Sequence, residues 1–127
     1  MQRDMDLLRA ILLFVESSVP AGKFVSCEIQ NFAQEFPSLD SSILAEHVRL
    51  LEEVGYLKKV YWTHDGAHLS GLSMKGYDYL DSIRDDEIWS KVKEGADRAG
   101  GFTLEILGEL ARGLIKTQIK KYTGVEI

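Results

Sequence analysis

The apolar positions at the start of the chain recur every three and four residues. Leu8, Ile11, Leu12 and Val15 fall on one stripe, which predicts an amphipathic helix. Asp4 suits its N-cap, Asp6 suits the positive end of its dipole, and Pro20 with Gly22 ends the unit. Ile29, Phe32, Ala33 and Phe36 repeat the spacing and predict a short second helix, with Ser26 as N-cap and Pro37 as its stop. A third helix is predicted over residues 40–54, with Gly55 just past its end. Leu44, Val48 and Leu51 make its inner face, so at about 3.6 residues per turn Ser42, Glu46, Arg49 and Glu53 face outward.

The period then changes. Residues 57–63 are rich in β-branched and aromatic types, Asp65-Gly66 is a two-residue turn signal, and residues 68–72 return. With Asp65-Gly66 as the loop, Trp62 lies opposite Leu69 and Tyr61 opposite Ser70. Helical spacing resumes with Tyr77, Leu80 and Ile83 after Ser73. It continues with Ile88, Trp89 and Val92 after Asp85 or Asp86, and Gly100-Gly101 breaks this fifth helix. A last helix opens at Thr103, where Phe102 and Leu107 have the spacing of a hydrophobic staple, and runs to about Tyr122.

Three helices followed by a hairpin describe a winged helix-turn-helix. The expectation is an α+β fold, mostly α, with a β-hairpin wing and a helical C-terminal extension. One domain over residues 1–127 is expected, divided into a core, 1–84, and an extension, 85–127.

Three blocks carry a family resemblance. They are Arg3-Asp4-Met5-Asp6-Leu7-Leu8, then His47-Val48-Arg49-Leu50-Leu51-Glu52-Glu53-Val54-Gly55-Tyr56-Leu57, and residues 72–93. The last opens Leu72-Ser73-Met74-Lys75-Gly76-Tyr77-Asp78-Tyr79-Leu80 and closes Ile88-Trp89-Ser90-Lys91-Val92-Lys93. On these the chain resembles the bacterial and phage-associated domain-of-unknown-function 2513 family along nearly its whole length. The resemblance implies a winged-helix-like fold and brings no activity or site residues with it.

Charge narrows the function. The net charge is −5, from 15 Lys+Arg and 20 Asp+Glu, which disfavours a bulk electrostatic grip on nucleic acid or anionic lipid. Most of the imbalance, −4, lies in residues 1–84. The longest apolar run, residues 10–15, is far short of a membrane span, so no membrane partner is expected. A single cysteine, Cys27, and an acidic start without a secretory pattern point to the cytoplasm.

Two functions from different classes follow. In the first the chain is a small transcription-regulator-like factor that binds double-stranded DNA. Ser41, Ser42 and Arg49 on the third helix and Lys58 and Lys59 at the base of the wing would be the contacts. Glu46, Glu52 and Glu53 on the same helix, and the absence of Lys or Arg from residues 63–68, weigh against it. In the second, an acidic winged helix binds protein, as an assembly subunit or a mobile-element inhibitor, through Glu46, Glu53, the wing aromatics and the outer stripe of the C-terminal helix. The last helix adds a homodimer expectation: Leu107, Leu110, Ala111, Leu114 and Ile115 form a stripe wider than one shallow groove needs. Its basic positions Arg112, Lys116 and Lys120 read better as dipole complement than as a phosphate track.

No catalytic constellation emerges, and no enzyme, cofactor or metal is expected. His64, Asp65 and His68 flank the turn without a fourth ligand. Cys27, placed in the first turn of the second helix, could be paired with His47 as nucleophile and base. But His47, flanked by Ile43 and Leu51, reads as a packed, hydrogen-bonded neighbour of the core. Asp85-Asp86-Glu87 reads as a helix cap.

Overall fold

The computed structural model describes residues 1–19, 27–64 and 66–127. Among these the order is α1 (Met5–Ser18), β1 (Cys27–Glu28), α2 (Ile29–Glu35), α3 (Ser41–Glu53), β2 (Tyr61–Thr63), β3 (Gly66–Leu69), α4 (Met74–Ile83), α5 (Asp86–Ala99) and α6 (Leu104–Thr123). The fold is α+β and mostly α. The chain forms two compact units, Met1–Tyr77 and Asp78–Ile127. The division therefore falls inside α4, earlier than the expected 84/85, because the first turn of α4 is bonded to the end of α3.

In the first unit, α1 buries Leu8, Ile11, Leu12 and Val15 as its spacing predicts. Asp4 caps it, the carboxylate accepting from the Leu7 N–H at 3.1 Å. The inner face of α3 holds Leu44, Val48 and Leu51, together with His47. Asp40 is its N-cap and accepts from the Ser42 N–H at 2.7 Å. Phe32 of α2 is buried, with the Phe14 ring edge-on at 5.4 Å.

Three local expectations change. The second helix starts at Ile29, with Glu28 in the N-cap position and no side-chain cap bond. Ser26, Pro20 and Gly22 lie outside the described residues. Cys27 belongs to strand β1, not to a helical turn, so the helix-start argument for its reactivity lapses. Phe36 is 44% exposed and stacks on Phe32 at 4.8 Å. Pro37 disfavours helical backbone at the residue before it, so α2 ends at Glu35 and Phe36 leaves the stripe.

The sheet is antiparallel with strand order β1-β3-β2. Cys27 faces Leu69 and Glu28 faces His68 across one ladder. Across the other, Tyr61 faces His68, Trp62 faces Ala67 and Thr63 faces Gly66. The same register continues to an isolated bridge between Leu57 and Leu72. The expected pairing of Trp62 with Leu69 and Tyr61 with Ser70 is therefore off by two residues. The reason lies at Gly66, which is the first residue of β3 with φ +129°. A Cβ there would also come within 2.6 Å of the Gln30 amide nitrogen on α2. The glycine serves a strand beside a helix, not the second place of the turn. Asp65 lies outside the described residues.

The start of α4 is held by its own residues. The Ser73 hydroxyl donates to the Gly55 carbonyl and accepts from the Gly76 N–H at 3.0 Å. The Ser73 N–H donates to Tyr56 O at 3.1 Å. A Cβ on Gly76 would overlap the Tyr56 carbonyl oxygen and lie 2.9 Å from its carbon. The inner face of α4 is set by that approach. Gly76, Tyr79, Leu80 and Ile83 are buried, whereas Tyr77, expected on the stripe, is 40% exposed.

In the second unit α5 buries Ile88, Trp89, Val92 and Ala96, and Asp85 caps it with a 2.9 Å bond from the Ile88 N–H. α6 packs on α5 with Leu107, Gly108 and Ala111 inward. Thr103 is its cap. In the expected staple Leu107 is fully buried and Phe102 is not.

Candidate functional site

The outward side of α3 and the adjoining hairpin hold most of the sequence-predicted contacts. Ser41 and Ser42 form the exposed first turn of α3. Two turns on, the Arg49 guanidinium lies over the Trp62 ring at 4.4 Å from its centroid. That stacking makes α3 and β2 one continuous surface, since a cation over an aromatic face is held by the ring quadrupole. Arg49 also pairs with Glu46 at 3.6 Å.

The lysines are less gathered. Lys58 is exposed, and its backbone N–H donates to Gly71 O at 2.9 Å. Lys59 reaches over Tyr61, 5.3 Å from the ring centroid. Successive strand residues point to opposite faces, so Lys59 and Tyr61 sit on the side of the hairpin away from Arg49 and Trp62. Arg49, on α3, and Lys59 thus flank opposite faces of the hairpin.

The acidic residues are largely engaged. Glu52 accepts from the Val60 N–H at 2.7 Å, so its carboxylate ties the hairpin strand to α3. Glu46 is taken by Arg49, and Glu53 is the exposed carboxylate of that trio. Sequence reasoning missed Lys75, whose ammonium donates to Val54 O at 3.2 Å and adds a cation beside the C-terminal end of α3. Its signal was present in the chain: it is the second residue after Ser73, in the first turn of a helix.

The other candidates separate. His47 is fully buried, and both ring nitrogens are engaged. Nε2 accepts from the Asp4 N–H at 2.9 Å, and Nδ1 lies 2.8 Å from Ile43 O. A carbonyl only accepts, so the proton sits on Nδ1 and no lone pair is left for a base. His68 Nε2 lies 3.4 Å from Thr63 Oγ1. Among the described residues no group of three or more His, Cys, Asp or Glu is placed to hold a metal ion. Nor is any described helix long and apolar enough to cross a membrane. Asp85, Asp86 and Glu87 stand at the start of α5, Asp85 as its cap.

On α6 the proposed contact residues divide. Leu107 and Ala111 are fully buried, Leu114 and Ile115 are half-buried, and Leu110 is 40% exposed. Leu107 and Ala111 therefore present nothing to a partner, because packing within the chain already covers them. Arg112, Lys116 and Lys120 are exposed, and Lys120 pairs with Glu126 at 3.5 Å.

A family model described as "Hypothetical protein (DUF2513)" matches residues 2–102. A protein of Haemophilus influenzae (strain ATCC 51907 / DSM 11121 / KW20 / Rd), carried under the name "Uncharacterized protein", is 25% identical over 127 residues. That similarity covers 94% of this chain and 99% of the other. No solved structure matches.

Proposed function

The chain belongs to the DUF2513 family, and from that premise we propose that its first unit, Met1–Tyr77, is a winged helix that binds double-stranded DNA. The observation that carries this reading is the sheet order β1-β3-β2. The short strand between α1 and α2 pairs with the far strand of the hairpin that follows α3. That is the arrangement in which α2 and α3 form a helix-turn-helix and β2-β3 the wing.

On that frame α3 is the helix for the major groove. Its 13 residues make a rod about 20 Å long, and a groove about 12 Å wide admits one helix. Ser41 and Ser42 at its N-terminus are the base-reading positions, and Arg49 reaches a guanine edge or a phosphate. Lys58 and Lys75 supply phosphate contacts, whereas Lys59 lies over Tyr61 on the hairpin's other side. The electrostatic objection weakens because Glu52 is bonded to the Val60 N–H and Glu46 is paired with Arg49.

The test is fluorescence anisotropy with a pool of mixed-sequence duplexes, from low to moderate salt. Binding that weakens along a log–log line is expected, with a slope that counts the phosphates contacted. Arg49→Glu lowers affinity by at least about tenfold with an unchanged circular dichroism spectrum. Wild-type protein that binds no duplex at low salt would sink the reading.

A second reading is favoured by the hairpin's aromatics: Tyr61 is 56% and Trp62 36% exposed, and residues 63–68 contain no Lys or Arg. Here the α3 side of the hairpin docks a protein through Glu46, Glu53 and Trp62, and Tyr61 offers an aromatic contact on the hairpin's other side. Reversing both glutamates would then lose a partner recovered by affinity capture with the wild type.

A further inference from the structure

We propose that the outward face of α6 is a homodimer interface, two copies pairing antiparallel across a two-fold axis near Gly113. The helix carries a second stripe. Ile106, Leu110, Gly113 and Thr117 follow a 4-3-4 spacing, the repeat of a coiled-coil seam. This stripe lies about 110° around the helix from the one that buries Leu107 and Ala111. Ile106 and Leu110 are each 40% exposed, and a Cβ on Gly113 would meet nothing within 4 Å. A second helix backbone can therefore approach closely at the middle of the seam.

Charge identifies the occupant as another copy. Glu105 and Glu109 stand in the first half of α6, Lys116 and Lys120 in the second. All four are exposed and, at about 100° per residue, share one flank of the seam. In an antiparallel pair each flank meets the same flank of its partner, running the other way. With the axis at Gly113, Glu109 falls beside the partner's Lys116, and Glu105 beside the partner's Lys120. Each attraction occurs twice by symmetry. A parallel pair sets this flank against the opposite one, which carries Leu114 and Gln118 and no carboxylate. Lys120 would exchange its pairing with Glu126 for the partner's Glu105.

The apolar ends agree. Phe102 is 37% exposed just before α6, and Val125 and Ile127 are 55% and 65% exposed just after it. The antiparallel register brings the partner's last residues to Phe102, so both ends of the seam gain apolar cover.

Sedimentation velocity of the full chain over a range of concentrations tests this. The wild type is expected to be a dimer. Glu109→Lys should weaken it about tenfold, because two symmetry-related exposed pairs turn repulsive. The double variant Glu109→Lys/Lys116→Glu should restore the wild-type affinity. Leu110→Arg should give a monomer with unchanged helical content by circular dichroism. A wild type that stays monomeric at hundreds of micromolar overturns the proposal. So does a dimer indifferent to both Leu110→Arg and Glu109→Lys, or a charge-swapped double variant weaker than either single one.

Discussion

Gly76 and Gly95 ask opposite things of a methyl group. At Gly76 a Cβ would overlap the Tyr56 carbonyl, where α4 meets the end of α3. That atom is backbone and cannot swing aside. Gly76→Ala is expected to cost about 3 kcal/mol, the upper range for overpacking a tight site. At Gly95, inside α5, a Cβ would meet nothing within 4 Å. Gly95→Ala should stabilise by about 1 kcal/mol, the ordinary helix-propensity gain. Urea denaturation of both variants checks the pair by the sign of the change in midpoint. The sequence made neither role visible, since both residues read as glycine within a helical pattern. His47 was half legible. Its place beside Leu51 predicted a packed, bonded side chain, but the Asp4 N–H that it accepts from is 43 residues away in sequence.

Elements were legible where the pattern was long. The stripes of α1, α3 and α5, and the aspartate caps of α1 and α5, stand where spacing and cap chemistry predict. β1 was not legible, because the two residues Cys27 and Glu28 are too few to show alternation. The hairpin was legible as a hairpin and misread in register. Asp65-Gly66 carries a local turn signal, whereas Gly66 answers to its φ and to Gln30 from another element. The true register sets Trp62 opposite Ala67, a small neighbour. The Arg49–Trp62 stacking is the side-chain link between α3 and the hairpin that the candidate site depends on. A double-mutant cycle of Arg49→Ala and Trp62→Ala should give a coupling of about 0.5–1 kcal/mol in stability. A coupling near zero would show that the two elements do not act as one surface.

For the whole chain, net charge was the least useful guide. A total of −5 hides carboxylates already engaged with Arg49 and with the Val60 N–H. The breadth of the α6 stripe was visible, but its division into a buried and an exposed side was not, because spacing alone does not say which neighbours arrive. The bonds of Ser73 have a consequence for how the chain reaches this structure. They join residues at most 18 apart, from Gly55 to Ser73 and Gly76. A loop that short closes at small entropic cost, so α3, the hairpin and the start of α4 can assemble before the longer-range ladder of β1 with β3. Ser73→Ala should then slow refolding in a stopped-flow chevron and leave the unfolding arm nearly unmoved. A shifted unfolding arm would place this clamp late, as the latch that closes the fold and not the nucleus that starts it.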